Sequence, residues 1–108
     1  MSIALNHPLL KRLTLIAPRE LEDDLIELLL DMQPALPGFT TAPVAGHGEG
    51  FAQASVHECV RGRIRRLQLW MVLPADDAQR VVAMIAARLP HSRISWWLEP
   101  VEAMGRLA

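Results

Sequence analysis

The sequence predicts an α+β domain: a four-stranded antiparallel sheet with two helices on one of its faces. Three observations predict it. Two stretches of alternating apolar residues each run into a proline, a helical apolar stripe follows each proline, and a second, shorter strand pattern follows each helix. Laying the first half on the second so that Pro18 falls on Pro74 also brings Leu25 onto Val81, Leu29 onto Ile85 and Pro34 onto Pro90. The chain therefore reads as two β-α-β units in tandem. That is the ferredoxin-like β-α-β-β-α-β plan, in which the first strand of each unit lies at the centre of the sheet.

Each element has its own signature. In KRLTLIAP, residues 11–18, Leu13, Leu15 and Ala17 alternate with Arg12, Thr14 and Ile16, and Pro18 ends the strand. A helix follows with Leu21, Leu25, Leu28, Leu29 and Met32 on one stripe, and Glu20, Glu22, Asp23 and Asp24 load its first turn, where the helix dipole favours negative charge. PALPG stops that helix and leads into FTTAPVA, residues 39–45, whose Pro43 marks an edge strand. LQLWMVLP, preceded by Ile64, is the third strand, and ADDAQRVVAMIAARLP is the second helix, with Ala78, Val81, Val82, Ile85 and Leu89 on its stripe. Pro90 closes it, and RISWWLEPV is the last strand.

Length and composition narrow the function classes. At 108 residues the chain fits a single domain over 1–108, with a tail at 1–9, and 51% hydrophobic with 21% charged residues is ordinary globular usage. A net charge of −1 supplies no general field for nucleic acid or an anionic membrane. Cys59 is the only cysteine, so no intramolecular disulfide forms and no C-x-x-C metal or redox spacing exists. The opening MSIALNHPLLKRL has no secretory pattern and no apolar run reaches membrane-spanning length, so a soluble cytoplasmic protein without membrane insertion is expected.

One sheet face poses a problem. Leu67, Leu69, Met71 and Leu73 should face the helices, yet Trp70 and Val72, with Ile16 on the first strand, are apolar on the opposite side. Two helices cannot cover two faces, and an apolar patch holding a tryptophan is uncommon on a soluble monomer. A homo-oligomer covers it from the same gene. Trp96 and Trp97 are adjacent, so one should enter the core and the other, Trp97, should join Ile16, Trp70 and Val72 in the oligomer interface.

The residues between the two halves carry most of the candidate chemistry. VAGHGEGF, residues 44–51, offers Gly46, Gly48 and Gly50, which either form a nest of N–H groups for an anion or a flexible turn. His57 and Cys59 point to one side of a strand and Glu58 to the other; with His47 they are either ligands for copper, zinc or nickel or the polar surface of a hairpin. RGRIRR, residues 61–66, suits phosphate or carboxylate recognition, or ion pairing across subunits with Glu22, Asp23 and Glu27. Trp70 alone does not make an RNA-stacking surface, since the aromatic-rich signature of such readers is missing and the net charge is unfavourable. No catalytic triad, P-loop or acid/base carboxylate pair is present, so an enzyme is not expected.

GFTTAPVAGHGEGF, RGRIRRLQLWMVLP and WWLEPVEAMGRL, in that order, resemble a proteobacterial family of uncharacterised proteins grouped with the nitrogen-regulatory PII-like superfamily. The resemblance spans nearly the whole chain from about Leu10. It implies a homotrimer with ligands in clefts between subunits, a long loop after the second strand that engages partner proteins, and a glycine turn at Gly46-His47-Gly48 that helps hold a nucleotide. The superfamily's second, glycine-rich basic turn is replaced here by Pro90-His91-Ser92-Arg93, which weighs against ATP and leaves Arg61, Arg63 and Arg93 as substitutes. Members of the uncharacterised family are often encoded beside heavy-metal efflux pumps, which implies a metal role for His47, His57, Glu58 and Cys59 and a transporter as partner. The expectation is a non-enzymatic sensor of a transition metal ion or nucleotide that signals through residues 46–62. The alternatives are a ligand-independent structural adaptor and a small ferredoxin-like enzyme.

Overall fold

A computed structural model describes Ser2–Ile3 and residues 9–48 and 64–107. Along the chain lie β1 (Ser2–Ile3), β2 (Leu10–Pro18), α1 (Glu22–Leu30), β3 (Thr40–Gly46), β4 (Ile64–Pro74), α2 (Ala75–Arg88), β5 (Ser95–Pro100) and β6 (Gly105–Arg106). The main sheet runs β3-β4-β2-β5 with every neighbouring pair antiparallel, while β1 and β6 pair separately. The first strands of the two repeats are central and Pro43 sits on an edge, as the ferredoxin-like plan requires.

The repeat extends to backbone angles. Pro18 has φ −58° and ψ 140°, and Pro74 has φ −59° and ψ 150°, so each central strand delivers the chain to its helix through the same proline geometry. A 3₁₀ turn at Arg19–Leu21 intervenes before α1. Neither helix start has a side-chain cap; Glu22, Asp23 and Asp24 in α1, and Asp76 and Asp77 in α2, oppose the positive end of the dipole instead.

Packing follows the period of two. Leu13 faces Met71, Leu15 faces Leu69 and Ala17 faces Leu67 across β2 and β4. These residues and Leu73 form one buried core with Leu25, Leu29 and Met32 from the first helix and the chain after it, and with Ala78, Val81 and Ile85 from α2. At about 1.5–3 kcal/mol per fully buried large aliphatic side chain, this burial is what holds both helices to one face.

The same register assembles the other face. Thr40, Trp70, Thr14 and Trp97 form one row across the four strands; Ala42, Gln68, Ile16 and Ser95 form the next, and Val72, Arg12 and Glu99 lie on the far side of the first. Ile16, Trp70, Val72 and Trp97 therefore share one surface that neither helix covers. The Arg12 guanidinium carbon lies 5.7 Å from the Trp70 ring centroid, and Trp97 Nε1 donates to Glu99 Oε1 at 3.1 Å. Thr14, paired with both tryptophans, is buried, and its Oγ1 has no hydrogen-bond partner.

Trp96 departs from expectation. It takes the helix side of β5, opposite Leu15, but is 49% exposed and does not enter the core. The reason is positional: β5 is an edge strand, whereas α2 packs over β2 and β4.

Candidate functional site

Both β-α-β units return their second helix end to the strand end where they began. The turn after α2 therefore comes back to the start of β4, where the arginine run delivers Arg65 and Arg66, and to the end of β2, since Pro18 pairs with Arg66. A cleft of about 450 Å³ opens there, lined by Pro18, Glu20, Ile64, Arg65, Arg66 and the turn from Leu89 to Arg93. Three arginines against one carboxylate, Glu20, make its described lining positive.

The turn itself has an unusual backbone. His91 has φ 62° and Arg93 φ 61°, the left-handed region that non-glycine residues avoid at a cost of roughly 1–2 kcal/mol each. Alternating left-handed and ordinary φ shapes backbone N–H groups into concave anion-binding arrays, and arginine forks match phosphate and carboxylate oxygens. Arginine side chains beside a turn of this kind are chemically able to hold an anion.

Of the sequence-predicted site residues, Arg93 lies in this cleft. Gly46 is buried at the end of β3 opposite Ile64; His47 and Gly48 are exposed just beyond it, and none of the three is in the described lining. Gly48 has φ 101°, a conformation that explains glycine there. His57, Glu58, Cys59, Arg61 and Arg63 lie outside the described residues. Among the described residues no group of three histidine, cysteine or carboxylate side chains is placed to hold a metal ion. Arg65 and Arg66 belong to the RGRIRR run and His91 to the 90–93 turn, both read from the sequence, but the sequence reading placed its ligand-binding arginines at Arg61, Arg63 and Arg93; the return of α2 to the start of β4 is the signal that joins the run to the turn. No helix among the described residues is long and apolar enough to cross a membrane.

Sheet order and helix placement define a ferredoxin-like fold of the PII-like kind. The chain belongs to the DUF3240 family, described as a protein of unknown function, whose model matches residues 9–108. Among solved structures it is similar to a DUF3240 family protein of Shewanella baltica, with TM-score 0.74, 20% identity, and 93% of this chain and 98% of that one covered. It is similar to a putative PII-like signalling protein of Thermus thermophilus, with TM-score 0.58, 22% identity and coverage of 88% and 87%. It is also similar to CPII, a nitrogen regulatory PII-like protein of Thiomonas intermedia, with TM-score 0.65, 15% identity and coverage of 92% and 96%. No match is found among the curated proteins.

Proposed function

We propose that this protein is a non-enzymatic PII-like regulator that binds a small anionic ligand, an adenine nucleotide in the first instance, in the cleft of Arg65, Arg66, His91 and Arg93. Occupancy is passed to a protein partner through residues 46–62, and the subunit assembles as a homotrimer over the face holding Ile16, Trp70, Val72 and Trp97. The observation that carries this reading is the pair of left-handed, non-glycine residues in the wall of the basic cleft. Backbone strain of this kind persists at ligand-binding sites, where the side chains are worth more than the relief glycine would bring. Missing glycines count against ATP in the sequence, but His91 and Arg93 adopt left-handed φ without them. The similar Thiomonas protein is bound to ADP, AMP and bicarbonate.

A transition metal ion is the second candidate ligand, through His47 with His57, Glu58 and Cys59, and a metal-efflux transporter is the partner that reading takes. Thermal-shift assays decide between the two. ADP, ATP, phosphate or bicarbonate should raise the melting temperature of the wild type and not of Arg93→Gln or Arg66→Gln. A shift with copper, zinc or nickel alone, abolished by His47→Ala and untouched by the arginine variants, would favour the metal.

A further inference from the structure

The turn from Leu89 to Arg93 has a second side. There it closes one end of a separate groove of about 340 Å³ between α2 and β5, floored by Val82, Ile85 and Leu89 and walled by Ile94 and Trp96. Trp96 is the feature that makes this groove more than a packing defect. It lies on the helix side of an edge strand with about half its surface exposed, whereas Trp97 takes the opposite face with its Nε1 bonded to Glu99. The groove's described lining holds no carboxylate, and its permanently charged side chain is Arg93, with His91 and Ser92 beside it. The cleft between the helices is the reverse, lined by Asp24, Glu27 and Asp31 with Arg88. Anions are therefore drawn to one of these two surfaces and repelled from the other.

We propose that the α2–β5 groove binds a small amphipathic anion: a planar, one- or two-ring apolar body carrying a single carboxylate or equivalent acid. The ring lies against Trp96 and over the aliphatic floor, where offset aromatic stacking and apolar burial act together. The acid group pairs with the Arg93 guanidinium in the two-pronged geometry that arginine offers a carboxylate. The groove volume lies at the small end of the range for small-molecule sites, which limits the body to this size. The groove shares the 89–93 turn and Arg93 with the basic cleft, and differs from it in needing Trp96, which does not line that cleft, and in making no use of Arg65 or Arg66, so Trp96 and Arg66 variants tell the two sites apart.

The test uses the full chain and 1-naphthoate, with the uncharged 1-naphthamide as control, followed by calorimetry and the three tryptophan indole N–H signals in NMR. Naphthoate should bind, shift the Trp96 signal and leave that of Trp97 in place, and naphthamide should bind at least about tenfold more weakly, the usual worth of a charge-assisted hydrogen bond. Arg93→Gln should bring acid and amide to the same affinity. Trp96→Ala should abolish binding, while Trp96→Phe, which keeps a ring and the fold, should retain most of it. Equal binding of acid and amide to the wild type, undiminished affinity in Trp96→Ala, or a shift at Trp97 instead of Trp96 would overturn the proposal. So would a groove already filled by a second copy, seen as no naphthoate binding by the wild type and a smaller sedimentation coefficient in Trp96→Ala.

Discussion

Replacing His91 and Arg93 by glycine and, separately, by alanine isolates the energy held in the turn. Both side chains are exposed, so truncation to alanine removes little packing, and the alanine variant keeps the Cβ that makes φ near 60° costly. The left-handed penalty is roughly 1–2 kcal/mol per residue. Glycine relieves it but gains about 0.4–1 kcal/mol of conformational entropy in the unfolded chain, which offsets part of the relief. Glycine should therefore be more stable than alanine by about 0.5–1 kcal/mol at each position, and about 1–2 kcal/mol for the pair if the sites are additive. This reverses the usual order, in which alanine is the more stable of the two in regular structure. Urea unfolding of the four single variants and the two doubles measures it, and a domain of this size should gain roughly 4–8 °C in melting temperature per kcal/mol. Alanine variants equal to or more stable than the glycine variants at both positions would show that the turn stores no strain. The inference from strain to ligand binding would then fall.

Two predictions concern the open sheet face. Thr14→Val keeps the shape and removes a buried hydroxyl that has no partner, so it should stabilise the fold by about 1–2 kcal/mol in urea unfolding; destabilisation would mean that the hydroxyl is satisfied. Trp70→Ala with Trp97→Ala should lower the mass seen by light scattering from three times the 12.0 kDa subunit to one, and an unchanged trimer would place the interface elsewhere.

Strands and helices were legible in the sequence wherever one periodicity decided them. Leu13, Leu15 and Ala17 alternate because one side of β2 is buried, and Pro18 and Pro74 mark the same join in both repeats. Pro43 disclosed its edge because proline cannot serve a central ladder. The surplus of apolar residues on the other face disclosed the row from Trp70 to Trp97. Trp96 was misplaced because alternation reports which side a residue takes and not whether a helix lies above it. The cleft was only partly legible, because it joins Arg65 and Arg66 to His91 and Arg93, a proximity set by the path of α2. The left-handed turn was invisible for a different reason: positive φ is read from sequence through glycine, and here histidine and arginine adopt it.

Calorimetric titration of ADP into the wild type, Arg66→Gln and Arg93→Gly tests anion binding at the 89–93 turn most directly. Saturable binding to the wild type that weakens at least about tenfold in both variants, with Arg93→Gly no less stable than the wild type, is the predicted result. No heat with the wild type, or the same affinity in all three proteins, would contradict it.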